Sequence, residues 1–135
     1  MSYRSSQVAA YRMAATHGGV AASDPHRLIV MLMDGALERI AAARGCIKNK
    51  AYVEKSKLIH RAVAIIDQLS NSLDMNTGGE IAVNLKDLYD YMGRQLLEAT
   101  VQNDAEKLDQ VLGLLNQIRG AWLEVPKRVN MGAAR

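Results

Sequence analysis

The chain is poor in the residues that cross-link, stiffen or catalyse. Cys46 is its only cysteine, so no intrachain disulfide can form. A reducing cytosolic compartment fits that usage. The 135 residues include two prolines and no phenylalanine. Ala, Leu, Met and Gln are common instead, so the composition points away from sheet and towards helix. No apolar run approaches the ~18 residues of a membrane span. Arg4, Arg12 and His17 interrupt the stretch where a signal peptide would carry its apolar core. The chain is expected to be soluble, without stable membrane insertion.

Catalytic constellations are missing as well. The three histidines are His17, His26 and His60, and none forms a Glu-x-x-His pair of the di-iron bundle type. With one cysteine, no zinc spacing exists. There is no phosphate-binding Gly-x-x-x-x-Gly-Lys loop and no Gly-x-Ser-x-Gly elbow. His60 has the mid-helix setting that phosphotransfer domains use. Residues 60–64 read His-Arg-Ala-Val-Ala, however, and lack the His-x-Leu-Lys-Gly pattern. No cofactor and no enzymatic activity are expected. Charge of one sign is also lacking: 17 Lys and Arg stand against 14 Asp and Glu, for a net charge of +3. Opposite charges alternate along the chain, which argues against a nucleic-acid partner, and Lys127, Arg128 and Arg135 read as a solvated tail.

What the chain does carry is helical signal. A short segment near Tyr3–Ala15 stops at Gly18-Gly19. The next begins at Ser23-Asp24-Pro25, with Asp24 as N-cap and Pro25 at the first helical position, and runs to about Lys48. A third spans about Ala51–Leu73. Thr77-x-x-Glu80 resembles a capping box opening a fourth that reaches about Gln102, and Asn103-x-x-Glu106 resembles another opening a fifth. The fifth ends near Glu124, before Pro126. Short connections between long helices make sequential neighbours antiparallel. The expected fold is all-α, an antiparallel up-down four-helix bundle over 24–124 with a short extra N-terminal helix. Residues 1–19 are expected to form a mobile segment and 125–135 a flexible tail.

Three of these helices have apolar faces wider than one core stripe. Leu28, Ile29, Leu32, Ala36, Ile40 and Ile47 form one face of the second segment, and Val30, Met33 and Leu37 widen it to roughly 200°, where a core stripe needs only about 100°. Ile59 and Val63 widen the third segment, and Leu114 and Leu123 the fifth. In the fourth, Ile81, Leu85, Leu88, Met92 and Leu96 read as the core seam, with Asn84 and Tyr91 on one flank and Tyr89 on the other. Gly35, Gly93 and Gly113 lie inside helices, where close approach of a neighbour or ligand would explain their cost. The excess apolar surface is expected to meet the N-terminal segment, a partner, or a second copy of the chain.

Two blocks of residues carry a resemblance. Ser23-Asp24-Pro25-His26-Arg27-Leu28-Ile29 running into Met31-Leu32-Met33-Asp34-Gly35-Ala36-Leu37 is one. Leu73-Asp74, Gly78-Gly79-Glu80-Ile81-Ala82, Asn84-Leu85 and Leu88-Tyr89-Asp90-Tyr91-Met92 make the other, supported by Ala10-Tyr11-Arg12 and Trp122. Together they resemble the flagellin-specific export chaperones, the FliS family. Met33 stands where many members have Tyr, and Asp24 where many have Ser. The resemblance implies a cytosolic, non-enzymatic chaperone that binds the disordered C-terminal region of flagellin in apolar grooves. It thereby prevents premature polymerisation and supports delivery to the flagellar type III export gate. An anti-sigma factor is a further implied partner. The expected client-binding residues are Tyr11, Val30, Met33, Leu37, Ile59, Val63, Asn84, Leu88 and Tyr91, with residues 1–17 as a lid. The alternative is a structural or signalling four-helix module that self-associates without a flagellin client.

Overall fold

In a computed structural model, residues 24–125 are described. The expected N-terminal helix, its lid role, Tyr11 and the C-terminal tail lie outside them. Four helices follow one another: α1 Pro25–Lys48, α2 Tyr52–Asn71, α3 Gly79–Gln102 and α4 Ala105–Glu124. Each packs on its neighbours in sequence, and α4 returns to α1, closing a four-helix bundle. No strand occurs among the described residues.

The ends of the helices follow local chemistry. Asp24 accepts the Arg27 backbone N–H at 3.0 Å, with Pro25 in the first turn where no amide hydrogen is needed. Both expected capping boxes are corrected. Asp104, not Asn103, caps α4, accepting from the backbone N–H groups of Glu106 and Lys107. Asn103 instead adopts a left-handed conformation (φ 52°) that ends α3. At the start of α3 the N-cap is Gly78, without a side-chain cap bond. The turn before it is held by Asp74, whose Oδ1 accepts from the N–H groups of Asn76 and Thr77 at 3.0 and 3.1 Å. Hydrogen bonding from the Thr77 side chain and then its backbone holds the Asp74 carboxyl below the usual carboxylate range. A Cβ on Gly78 would lie 2.6 Å from both Asp74 O and Ala82 Cβ, so the turn closes only around glycine. Gly79 (φ 56°) then takes a backbone conformation that other residues rarely adopt.

The core runs the length of the bundle. Leu32, Met33, Ala36, Ile40 and Ala43 from α1 meet Ile59, Ala62, Ile65, Ile66 and Leu69 from α2. From α3 come Tyr89, Met92, Leu96 and Ala99, and from α4 Leu108, Val111 and Leu115. The expected seam of α3 is corrected here. Ile81 is 72% exposed and Leu88 37%, whereas Tyr89 is 4% exposed. The true seam is Ala82, Leu85, Tyr89, Met92, Leu96 and Ala99, alternating by three and four residues as bundle packing requires. Gly93 and Gly113 have open space where a Cβ would sit, so close approach of a neighbour does not account for them.

Candidate functional site

Polar contacts define which flank of each helix faces which neighbour. On α1, the Asp34 carboxylate accepts Arg119 Nε at 2.6 Å, and Arg44 donates through Nε and Nη2 to the Asp109 carboxylate at 2.5 and 3.1 Å. These two ion pairs staple α1 to α4 at separate heights. The hydrogen bond from Arg44 holds Asp109 below the usual carboxylate range, and the same bond raises Arg44. At the far end His26 and Trp122 form a reciprocal clasp. The indole N–H donates to His26 O at 3.0 Å, and His26 Nε2–H donates to Trp122 O at 2.8 Å. Their rings stack 5.0 Å apart and 12° from parallel.

The α2–α3 seam is held by a buried lysine. Lys55, 3% exposed, donates from Nζ to Thr100 O at 2.6 Å and to Asn103 Oδ1 at 2.7 Å. A cation at the C-terminal end of α3 meets the negative end of its dipole and satisfies one last-turn carbonyl, that of Thr100. Ser56 Oγ lies 3.2 Å from Thr100 Oγ1 and completes the seam.

The α3–α4 seam is built differently. Lys107 Nζ joins it at one end, 3.5 Å from Gln95 Oε1 and 3.3 Å from Glu98 Oε1. Between Gly79 and Arg94, no side-chain hydrogen bond or ion pair crosses from α3 to another helix among the described residues. The flank of α3 on the Gln95 side carries Ile81, Asn84, Leu88 and Tyr91 at helical spacing. The antiparallel register set by Lys107 brings Leu114 and Ile118 of α4 opposite them. Both are partly buried against the core rather than sealed. The result is an apolar strip with a single amide, Asn84, and a half-buried tyrosine ring, Tyr91.

The expected binding residues therefore do not share one surface. Val30 and Leu37 lie on the flank of α1 that carries Asp34 and Arg44, facing α4. Met33 (1% exposed) and Ile59 (0%) were expected off the core and are corrected: both are sealed inside it. Val63 lies half-buried towards α3. On α3, Asn84, Leu88 and Tyr91 fall on one face. Ile81, Leu114 and Ile118 complete that face and were not expected there. The signal that would have found them is the alternative 3-4 register through Ala82 and Tyr89, which turns Ile81 outwards. Lys55 was also missed, although a lysine four residues before Ile59 on the core stripe is a signal in itself. Burial pushes the Tyr89 hydroxyl up to about 12, so Tyr89 is a packing residue and no proton donor near neutrality. No group of His, Cys, Asp and Glu that could hold a metal occurs among the described residues. No described helix is long and apolar enough to cross a membrane.

The family model described as Flagellar protein FliS matches residues 7–129. The chain belongs to the FliS family. The flagellar secretion chaperone FliS of Salmonella typhimurium is 39% identical over 134 residues, covering 98% of this chain and 99% of that protein. FliSB of Pseudomonas aeruginosa is 43% identical over 112 residues (83% and 89%). FliS of Bacillus subtilis is 34% identical over 98 residues (73% and 72%). These relatives are named flagellar secretion chaperones, and the family is one of chaperones rather than of enzymes. The family assignment agrees with the absence of a catalytic constellation in the sequence.

Proposed function

We propose that this protein is a flagellar export chaperone that holds the disordered C-terminal region of flagellin on the α3–α4 strip. It acts in the cytosol, keeps the client from polymerising, and hands it to the type III export gate. The observation that carries the site is the outward turn of Ile81 and Leu88 on a helix half that, among the described residues, no side-chain polar contact ties to a neighbouring helix. A folded monomer gains nothing from leaving a large isoleucine 72% exposed beside an exposed leucine. A partner helix laid along the strip covers both, and Asn84 offers an amide to the client backbone at its edge. A disordered client loses conformational entropy on docking but can cover a long apolar surface, and the binding then shows a large negative heat-capacity change.

The test is fluorescence anisotropy with a labelled flagellin C-terminal peptide and two variants. Ile81→Asp and Leu88→Asp are each expected to weaken binding at least about tenfold, because a charge must be desolvated in an apolar contact, while helicity by circular dichroism stays unchanged. Unaltered affinity in both variants would remove the strip from the client site.

A further inference from the structure

The two ends of α3 are held to the bundle in different ways. Its last turns bury Leu96 and Ala99 and are pinned by Lys55 to Thr100 O and Asn103 Oδ1. Leu97 and Val101 point outwards there, yet the core and the lysine fix that half. Along residues 79–88, by contrast, only Ala82 is fully buried, and Leu85 packs partly against the core. A single methyl group removes little apolar area from water. Ile81, Val83 and Leu88 all turn outwards. Among the described residues, no side-chain hydrogen bond or ion pair ties this stretch to another helix, and the Lys86–Asp90 pair stays within α3.

The other helices start more firmly. α1 opens with the Asp24 cap, the buried His26, Leu32 and Met33, and the clasp to Trp122. α2 buries Lys55 and Ile59 in its first turns. α4 opens with the Asp104 cap and buries Leu108 and Val111. The N-cap of α3 is Gly78, without a side-chain cap bond, and Gly79 follows it with positive φ. The inner boundary of the loose stretch is sharp, because Tyr89 and Met92 return to the core. A segment with few buried apolar contacts opens at a lower free energy than the whole fold.

We propose that residues 79–88 are a conformational switch: in the free protein they open and close as a unit, between Gly78-Gly79 and Tyr89, while the rest of the bundle stays folded. Opening parts Ile81 and Leu88 from Leu114 and Ile118 of α4 and so dismantles the strip. A client that bridges α3 and α4 binds the closed form and holds it closed. Docking then includes the ordering of these turns, and the loaded chaperone differs from the empty one in the order of this segment. The opening is a property of the free chain; its closure by the client rests on the function proposed above.

Amide hydrogen exchange of the full chain, read by NMR, tests both parts. Amides of 83–88 are compared with those of 109–114, the equivalent turns of α4, so that ordinary fraying of a helix start cancels. In the free protein those of 83–88 are expected to exchange at least about a hundredfold faster. Ile40→Val is a mild change in the core, towards the end of the bundle opposite the start of α3. It should speed exchange at 109–114 by about two- to tenfold and leave 83–88 unmoved, because local opening does not break the core. Saturation with the C-terminal segment of flagellin should slow 83–88 at least about tenfold. Equal rates at 83–88 and 109–114, or equal acceleration of both by Ile40→Val, overturns the proposal, since α3 then opens only with the whole bundle. A bound client that leaves 83–88 unprotected overturns the closure. If 83–88 open locally and the client does not bind, the opening stands and the client reading fails instead.

Discussion

Replacing Lys55 with methionine tests how the two central helices of the bundle are fastened. The substitution keeps most of the aliphatic stem and removes only the ammonium. Two hydrogen bonds are lost, at 2.6 and 2.7 Å to Thr100 O and Asn103 Oδ1. Hydrogen bonds from a charged donor contribute about 1.5–3 kcal/mol each, so their sum is about 3–6 kcal/mol. The favourable interaction with the C-terminal end of α3 adds about 0.3–1 kcal/mol. Against this, the ammonium is almost wholly buried, and its removal returns a desolvation cost of several kcal/mol. The balance is a net loss of about 2 kcal/mol, which for a domain of this size lowers Tm by about 8 °C. Urea and thermal denaturation of Lys55→Met measure it. A cycle with Asn103→Ala should show a coupling of about 1 kcal/mol between the two residues. A Lys55→Met protein as stable as the parent would refute the reasoning, because desolvation would then cancel everything the lysine contributes to the seam.

Other consequences follow from single features of the fold. Tyr89 is pushed up to about 12 in the folded protein from about 10 when unfolded. Its burial therefore stabilises fully below pH 10, and the contribution is lost as pH rises from 10 to 12; the parent should lose up to about 3 kcal/mol more than Tyr89→Phe across that window in urea titrations. Gly78→Ala forces a Cβ to within 2.6 Å of Asp74 O and Ala82 Cβ, and should cost about 2 kcal/mol or more as overpacking. By contrast, Gly113→Ala meets open space in a helix interior and should gain up to about 1 kcal/mol, both read from denaturation midpoints. Trp122→Phe keeps an aromatic ring against His26 but removes the indole N–H donated to His26 O; a loss of about 1 kcal/mol is expected, seen as a lower urea midpoint.

Much of the fold is legible in the amino-acid sequence. Asp24-Pro25 marks a helix start by chemistry that has few alternatives, and short polar links dictate antiparallel neighbours. The errors have physical causes. Asn103 and Asp104 can both cap a helix, and only the left-handed backbone of Asn103 decides which one does. In α3, Ile81 and Leu88 outweigh Ala82 and Ala99 on any hydropathy reading, yet alanine lets helices approach and Tyr89 fills the space that a small-residue seam leaves. Periodicity identifies the flank of a helix but not the neighbour that flank faces. That depends on the handedness of the bundle. For this reason Val30 and Leu37, Val63, and Asn84 with Leu88 and Tyr91 were expected together as client-binding residues without an assignment to seams, and they lie on three different ones. The family resemblance identified the chain correctly because its two motif blocks are made of side chains with separate structural duties. Asp74 and Gly78 build the turn, His26 and Trp122 close the bundle, and Tyr89 and Met92 fill it.

The most direct test of the α3–α4 strip is a methyl NMR footprint of the full chain with the C-terminal segment of flagellin from the same organism. Resonances of Ile81, Leu88, Leu114 and Ile118 are predicted to shift together and to saturate at one client per chain, while Val53 and Val101 keep their free positions. A client that binds and shifts Val30 and Leu37 while Ile81 and Leu88 stay unmoved would contradict the account and place the flagellin site on the α1–α4 seam.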